Sequence, residues 1–263
     1  MIVAEALRAL EAREARLLLA RATGFSEASV LAHPERELPE EAAERFRDFT
    51  ARRAGGEPIA YILGEKEFYG LPLAVNPAVL IPRPETELLV ELALALQPAS
   101  VLDLGTGSGA IALAVKRRLP SARVVGVERS AAALAVAQRN ALRLGLDVEL
   151  RHGRWFEPVA GERFALVVSN PPYVAEGDPH LAEGDLRFEP RSALVAGPDG
   201  LASIREIVAA ALAHLAPGGT LLLEHGLGQD GAVRTMLAAA GLEDARSWPD
   251  LAGIARVSGG GLK

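Results

Sequence analysis

Residues 101–110 read Val101-Leu102-Asp103-Leu104-Gly105-Thr106-Gly107-Ser108-Gly109-Ala110. The apolar run is typical of a buried strand, and the glycines after it predict a tight turn that leads into a helix. Glycine adopts positive φ and lets the backbone approach a ligand without a Cβ clash. The stretch therefore predicts the first strand, turn and helix of an α/β fold, with a ligand at the turn.

The spacing of the glycines narrows the class of ligand. A dinucleotide fingerprint would read G-x-G-x-x-G and a phosphate-binding P-loop would end in a lysine, but this turn has neither feature. Asp103 lies two residues before the first glycine, where its carboxylate can orient the turn and attract a cation. S-adenosylmethionine carries an ammonium and a sulfonium group, so an acidic pocket without phosphate contacts suits it.

Two further residues fit the same cofactor. The second predicted strand ends at Glu128, whose carboxylate can accept hydrogen bonds from both hydroxyls of a ribose. Trp155 follows the third predicted strand, and its indole can pack on an adenine ring. The alternative interpretation is a tight turn beside a surface glutamate, with a tryptophan that belongs to the core.

A second unusual loop reads Asn170-Pro171-Pro172-Tyr173 and follows an apolar strand. The Asn170 side-chain oxygen and the Pro171 carbonyl can accept the two N–H hydrogens of a planar amide or amine, while Tyr173 can stack on it. This arrangement would point the nitrogen at a methyl donor by positioning alone, without a strong base. The loop predicts an N-methyltransferase whose catalytic residues are Asn170, Pro171 and Tyr173; a rigid turn is the structural alternative.

Outward from these loops, strand and helix patterns alternate, which predicts a doubly wound, Rossmann-like and mostly parallel seven-stranded sheet. Gly259–Gly261 is interpreted as a short low-complexity tail. The predicted strands are 101–104, 123–127, 147–150, 164–168, 220–223, 243–247 and 254–257, and the predicted helices are 110–119, 131–144, 201–215 and 232–240.

The first 60 residues show helical patterns only. Ser26 is a candidate N-cap, and Pro39-Glu40-Glu41 opens a further helix with acidic residues in its first turn. A stretch at 68–77, rich in Gly and Pro, predicts a hairpin. We expect a small all-helical domain over 1–64, a hairpin connector over 65–83 and a catalytic domain over 84–263.

Composition excludes several classes of function. The 263 residues include no cysteine, so disulfides and thiolate sites are excluded, and the five scattered histidines argue against a metal site. The net charge of −6 argues against a nucleic-acid substrate. Charges within residues 1–21 exclude a signal-peptide core, and no apolar run is long enough to span a membrane, so we expect a cytoplasmic protein. We also expect it to be a monomer.

The chain resembles the release-factor glutamine methyltransferases of the HemK/PrmC type, nearly from end to end. The NPPY loop also occurs in other N-methyltransferases, whereas the segments RPETE and FEP beside it make the match close. The resemblance is carried by Asp103–Gly109, Glu128, Trp155-Phe156, Asn170–Tyr173, Phe188–Leu194, Tyr61–Gly64, Phe68–Gly70 and Ile81–Glu87.

The resemblance implies a class I fold dependent on S-adenosylmethionine and a substrate in class I peptide chain release factors. The methylated atom would be the side-chain amide N5 of the glutamine in the Gly-Gly-Gln motif, and the helical domain would help to dock the release factor. Pro172 would join the substrate loop, and 83–87 would lie near the methionine end or the substrate entrance. The implied cofactor residues are Asp103, Gly105, Thr106, Gly107, Ser108, Gly109, Glu128, Trp155 and Asn170.

One position departs from the family pattern. Family members often carry an acid just before the tryptophan, where it can bond the adenine amino group, but here that position is Arg154. Two other functions stay open on the sequence. One is methylation of an exocyclic amine of adenine or guanine in a nucleic acid, which would need a flipped base and usually a basic channel. The other is a non-catalytic adaptor of the translation machinery, against which the intact NPPY loop argues.

Overall fold

The computed structural model of the chain describes residues 1–263, which divide into two units. One unit consists of Met1–Glu65 together with Ala182–Phe188. The other consists of Lys66–Leu181 and Glu189–Lys263. None of the helices in either unit combines the length and the apolar character that crossing a bilayer requires.

The first unit is helical, as the sequence predicts. Its core is formed by fully buried side chains that include Leu18, Leu19, Val30 and Phe46. The Ser26 hydroxyl caps one helix by accepting a hydrogen bond from the Ser29 N–H at 3.1 Å. The helices are α1 (Val3–Ala6), α2 (Ala12–Thr23), α3 (Glu27–Ala32), α4 (Glu40–Ala54) and α5 (Ile59–Leu63).

A two-stranded hairpin follows, formed by β1 (Glu65–Phe68) and β2 (Leu71–Ala74). It begins three residues earlier than the pattern at 68–77 suggests. The two residues between the strands, Tyr69 and Gly70, have φ values of 51° and 78°. Positive φ at both central positions is the geometry that matches the twist of a hairpin, and the turn lies at Gly70, one of the glycine and proline breaks in the predicted hairpin.

The second unit is built on a seven-stranded sheet in the order β5-β4-β3-β6-β7-β9-β8. All neighbouring strands are parallel except the pairs of β9 with β7 and with β8, so only β9 runs in the opposite direction. This confirms the predicted mostly parallel sheet. The strands are β3 (Ser100–Leu104), β4 (Arg123–Glu128), β5 (Glu149–His152), β6 (Phe164–Ser169), β7 (Leu215–Glu224), β8 (Glu243–Pro249) and β9 (Ala255–Gly261).

Helices cover both faces of this sheet, which explains why its central strands are apolar throughout. On one face, Val101 of β3 joins a core with Leu89 and Leu113. On the other face, Leu102 joins a core with Ile204. The helices of this unit are α6 (Glu87–Ala95), α7 (Ala110–Arg118), α8 (Ala131–Leu144), α9 (Arg191–Leu194), α10 (Ala202–His214) and α11 (Asp230–Ala239).

The glycines near the C-terminus are not a tail, which corrects the interpretation of Gly259–Gly261. They lie in β9 and pair with Leu221 and its neighbours in β7. A Cβ added at Gly259 would lie 2.5 Å from the Leu221 carbonyl oxygen and 2.5 Å from Leu222 Cδ2. Glycine is therefore required by close packing of the strand, a contact that no local sequence pattern reveals.

Candidate active site

The glycine-rich turn after β3 and the NPPY loop after β6 lie together at the carboxyl ends of these neighbouring strands. The chain leaves β3 towards β4 on one side and later enters β6 on the other side of β3, so the loops after β3 and β6 diverge at a topological switch point. Open α/β sheets bind ligands in the crevice at such a point. A pocket opens there and reaches from Glu128, at the end of β4, to Asn170, at the end of β6.

The pocket brings together most of the residues predicted from the sequence, but not all of them. It is also lined by residues that the sequence reasoning did not single out, among them 78–80, Val195 and Ser203. The predicted residues in the lining are Gly105, Thr106, Gly107, Ser108, Glu128, Trp155, Asn170 and Pro172, whereas Asp103, Gly109, Pro171 and Tyr173 lie outside it.

Most backbone N–H groups of the glycine-rich turn already donate hydrogen bonds within the protein. The Gly105 and Thr106 N–H groups donate to the Val127 carbonyl at 2.8 and 3.0 Å, and the Gly109 N–H donates to the Thr106 carbonyl at 2.8 Å. The Gly107 N–H donates to Glu128 Oε2 at 3.0 Å. A turn that binds pyrophosphate needs these donors free, and a carboxylate beside them repels an anion. The turn therefore does not fit a dinucleotide.

Asp103 lies beneath the turn and is fully buried. Its Oδ2 accepts hydrogen bonds from the Thr106 hydroxyl at 2.6 Å and from the Ala112 N–H at 3.2 Å, while its Oδ1 has no hydrogen-bond partner. Burial raises the pKa of Asp103 to about 7. In this position the side chain ties the turn to the start of α7, which is the orienting role that the sequence suggests for it.

Gly109 serves helix packing. Its φ is +86°, and an added Cβ would lie 2.9 Å from Leu113 Cδ1 and 3.4 Å from the Ala137 Cβ. A side chain at this position would separate α7 from α8. The structure places Gly109 at the start of α7 without bringing it to the pocket lining.

Glu128 is buried but reaches the pocket lining. Its Oε1 accepts a hydrogen bond from the Ser130 N–H at 2.8 Å, and its Oε2 accepts the bond from Gly107. Because each carboxylate oxygen can accept two hydrogen bonds, both oxygens retain capacity for ligand hydroxyls. The two backbone donors fix the direction in which the carboxylate points.

Trp155 is held in place by an acid that the sequence reasoning missed. Its backbone has a positive φ of 47°, and its indole Nε1 donates to Glu206 Oε2 at 2.9 Å. The Nη2 of Arg154 contacts the same carboxylate, at 2.8 Å from Oε1 and 2.6 Å from Oε2. Arg154 stands where the family pattern often has an acid. Arg154 and Trp155 therefore share one hydrogen-bond acceptor, the carboxylate of Glu206 in α10.

Asn170 has one end of its amide fixed by the protein. Its Nδ2 donates to Thr86 Oγ1 at 3.1 Å, and Oδ1 accepts no hydrogen bond from the protein. Just before it, the Ser169 hydroxyl donates to the Leu104 carbonyl at 2.6 Å and so ties β6 to β3. Asn170 lines the pocket, and an amide oxygen without a partner in the protein is what binding of a substrate N–H requires.

Tyr173 is directed towards Glu224, at the end of β7. Its hydroxyl donates to Glu224 Oε1 at 3.4 Å, and burial raises the pKa of Tyr173. Its carbonyl accepts a hydrogen bond from Gln229 Nε2 at 3.0 Å. These contacts anchor the end of the NPPY loop. Glu224 was missed in the sequence, although an acid that ends a parallel strand next to β6 is a recognisable signal.

The two segments RPETE and FEP are joined by an ion pair. Arg83 Nη2 lies 2.5 Å from Glu189 Oε2, and the Ile81 N–H donates to Glu189 Oε1 at 3.2 Å. The Glu189 side chain is 0% exposed, whereas Arg83 reaches the pocket lining. No group of three or more His, Cys, Asp or Glu side chains in the chain is arranged to hold a metal ion.

Comparison with known proteins identifies relatives over nearly the whole chain. Family models match residues 3–64, as a PrmC N-terminal domain, and residues 84–185, as a methyltransferase small domain. A protein of Burkholderia pseudomallei named release factor glutamine methyltransferase is 53% identical over 272 residues, which cover 98% of this chain and 95% of that protein. The protein of the same name from Escherichia coli is 46% identical and covers 94% and 90%.

Solved structures share the fold at lower identity. The 16S rRNA N2 G1207 methyltransferase of T. thermophilus has a TM-score of 0.57 and 24% identity, over 76% of this chain and 50% of that one. A methyltransferase of Pyrococcus furiosus has a TM-score of 0.57 and 19% identity, over 81% and 98%. At these identities the likeness supports the methyltransferase fold alone.

Proposed function

Because this chain belongs to the release factor glutamine methyltransferases, we propose that its pocket transfers a methyl group from S-adenosyl-L-methionine to a glutamine side chain of a class I peptide chain release factor. The acceptor is the amide N5 of the glutamine in the Gly-Gly-Gln motif. The observation that carries the chemistry is the amide of Asn170 in the pocket lining, whose Nδ2 is bonded to Thr86 while its Oδ1 has no partner in the protein.

The pocket fits the methyl donor by the chemistry of its lining. The N–H groups of the glycine turn are bonded, so a ligand without a pyrophosphate suits it. Glu128 would accept the ribose hydroxyls and the indole of Trp155 would pack on the adenine ring. When bound, S-adenosylmethionine supplies a methyl group on a positively charged sulfur, to which the buried Glu128 carboxylate is electrostatically complementary.

The work left to the protein is positioning of a weak nucleophile. The nitrogen of a glutamine amide is conjugated with its carbonyl, so it attacks poorly unless its hydrogens are drawn away. Asn170 Oδ1 and the Pro171 carbonyl would accept the two N–H hydrogens and hold the nitrogen towards the donor. They would also stabilise the positive charge that develops on the nitrogen until one of these two protons is released to water. The two consecutive prolines keep that carbonyl at a fixed place.

The two units have separate roles in this proposal. Residues 1–64, of which 3–64 match the PrmC N-terminal domain, dock the release factor. Residues 65–83 connect this domain to the catalytic domain, which comprises residues 84–263. We also propose a cytoplasmic monomer; the location follows from a substrate that belongs to translation termination.

One experiment tests the substrate. The protein is incubated with labelled S-adenosylmethionine and either a purified class I release factor or total RNA and DNA, and the modified residue is located by mass spectrometry. We expect label on the glutamine of the Gly-Gly-Gln motif. Label that appears in nucleic acid and not in the release factor would instead support methylation of a base.

A variant tests the nitrogen clamp. In Asn170→Ala we expect methyl transfer to fall by at least about 100-fold, because one of the two acceptors of the substrate N–H groups is lost. The dissociation constant for S-adenosylmethionine, measured by calorimetry, should stay within about threefold of the wild-type value. Wild-type turnover in this variant would remove Asn170 from the mechanism.

A further inference from the structure

Both rings of the Trp155 indole are in contact with the protein. Nε1 donates to Glu206 Oε2 at 2.9 Å, and the six-membered ring faces the glycine-rich turn, where a Cβ added at Gly105 would lie 3.5 Å from Trp155 Cζ3. The backbone of Trp155 has a positive φ of 47°. A residue other than glycine keeps such a φ only where the surrounding structure enforces it. The loop therefore holds this side chain in one defined place.

The carboxylate of Glu206 is itself fixed by a second donor. The Nη2 of Arg154 lies 2.8 Å from Glu206 Oε1 and 2.6 Å from Oε2, so one guanidinium nitrogen bridges both oxygens. The two side chains are about half exposed, at 49% and 44%. Ion pairs with this much exposure contribute little to folding stability, because water screens the charges. Stability alone is thus a weak reason for the pair, whereas the indole is a side chain that it orients.

This group of side chains adjoins the pocket. Arg154 and Trp155 line it, and so does Ser203 in the first turn of α10. Glu206 follows three residues later, on the same face of that helix. The only acid among the lining residues is Glu128, which the proposed function assigns to the ribose. The arginine side chain offers N–H donors only, so the indole face is the surface at this wall on which an adenine ring can pack.

We propose that Glu206 is a positioning residue for the methyl donor, because it holds the indole of Trp155 in the orientation that packs on the adenine ring. Arg154 in turn holds Glu206. This chain therefore supports the adenine contact with a carboxylate from α10, whereas family members often carry an acid at the position of Arg154. The inference rests on the proposed function, in which Trp155 packs on adenine. Glu206 is not required to touch the cofactor.

Orientation of the indole before binding raises affinity for the ligand. A side chain that moves among rotamers in the free protein loses that freedom when an adenine ring packs on it, and the loss weakens binding. For one aromatic side chain the cost corresponds to about 3- to 10-fold in a dissociation constant. The hydrogen bond to Glu206 removes this cost in advance, so its absence should appear in cofactor affinity.

The first test measures binding of S-adenosyl-L-homocysteine by calorimetry, which needs neither substrate nor turnover. In Glu206→Leu we expect the dissociation constant to rise about 3- to 10-fold, because the indole loses its acceptor. Glu206→Gln keeps an acceptor oxygen and should stay within about twofold of the wild type. Glu206→Ala repeats the loss without an added apolar side chain, and urea denaturation verifies that each variant is folded.

A second ion pair of α10 provides a matched control. Arg205 Nη1 donates to Asp199 Oδ1 at 3.0 Å, and the pair is similarly exposed, but neither residue lines the pocket. Arg205→Leu should therefore leave the dissociation constant unchanged. The inference is wrong if Glu206→Leu and Glu206→Ala bind like the wild type, or if Glu206→Gln is as impaired as they are.

A double-variant cycle tests whether Glu206 acts through the indole. Trp155→Phe keeps an aromatic ring and removes the N–H that Glu206 accepts. In this background, Glu206→Leu should change the dissociation constant less than about twofold, since the hydrogen bond is already absent. An equal loss in both backgrounds would show that Glu206 acts independently of the indole and would overturn the proposal.

Tryptophan fluorescence reports the orientation of the indole directly. The chain has two tryptophans, so Trp248→Phe leaves Trp155 as the only one. In this background and without ligand, time-resolved anisotropy should show a larger fast local motion of Trp155 once Glu206→Leu is added. An anisotropy decay that is the same with and without the Glu206 carboxylate would show that other contacts already fix the indole, which contradicts the proposal.

The failure of this inference and the failure of the proposed function give different results. If the wild type binds S-adenosyl-L-homocysteine but methylates no release factor, the proposed substrate is wrong, and the binding tests still decide the role of Glu206. If Trp155→Leu binds like the wild type, the proposed adenine contact is wrong and this inference fails with it. If only the Glu206 variants match the wild type, the error is confined to Glu206.

Discussion

At the level of single residues, hydrogen bonds to carboxylates set the orientation of several side chains that line the pocket. The backbone N–H groups of Gly107 and Ser130 donate to the two carboxylate oxygens of Glu128 and fix their direction before a ligand binds. Glu206 fixes the indole of Trp155 and the guanidinium of Arg154. Such side chains bind well because their rotamers are settled in advance by neighbouring groups.

Replacement of Glu128 tests its assignment to the ribose. In Glu128→Ala we expect the dissociation constant for S-adenosylmethionine to rise at least about tenfold, because hydrogen bonds to a charged acceptor are worth about 1.5–3 kcal/mol each. At saturating cofactor, kcat should change much less, since the acceptor nitrogen is held by other residues. Isothermal titration calorimetry measures the first quantity, and an unchanged dissociation constant would refute the ribose role.

At the element scale, the turn after β3 depends on glycine for two different reasons. Gly105, Gly107 and Gly109 all have positive φ, with values of 73°, 57° and 86°. Only Gly109 also lacks space for a side chain, because α7 packs against α8 at that point. The sequence shows three equivalent glycines, whereas the helix packing makes one of them far less replaceable.

This difference leads to a prediction with an internal control. Gly109→Ala combines strained φ with a Cβ 2.9 Å from Leu113 Cδ1, and we expect it to lower the free energy of unfolding by about 2–4 kcal/mol. Gly145→Ala, at the end of α8, has φ of +63° and nothing within 4 Å of the added Cβ, so only about 1–2 kcal/mol should be lost. Urea denaturation measures both, and equal losses would contradict the packing argument.

At the scale of the whole molecule, two buried acids couple stability to pH. Burial raises the pKa of both Asp103 and Glu224 to about 7. Glu85 raises the pKa of Glu224 further, whereas Thr86, Tyr173 and Arg256 lower it. A raised pKa in the folded state means that the stabilisation is complete below the unfolded pKa and is lost as pH rises through about 7.

We therefore expect the free energy of unfolding of the wild type, relative to Glu224→Gln, to fall by about 2–3 kcal/mol between pH 5 and pH 8. The comparison isolates Glu224, because Asp103 and the lowered pKa of the buried His225 are common to both proteins. Urea midpoints at several pH values measure the difference. A difference that does not change with pH would show that Glu224 titrates normally in the folded protein.

Local sequence pattern was sufficient to predict the features whose structural requirement lies within one short segment. The apolar run before Gly105, the acid that ends β4 and the Pro-Pro pair after β6 each record a requirement of their own segment. The α/β fold follows from them, and most of the predicted site residues line the pocket. The boundaries of the elements depend on more than local pattern. β5 begins two residues later than expected, because its pairing with β4 and not its own composition sets its register.

Residue types at fixed local spacing were enough to predict the sheet class, the helical N-terminal region and a glycine-rich turn that shares a pocket with the NPPY loop. Only the tertiary structure brings Glu206 to Trp155, Glu189 to Arg83, and Thr86 to Asn170. These partners are far apart along the chain, and it is the order of the strands that brings them together. The orientation of the pocket side chains is therefore a property of the folded sheet.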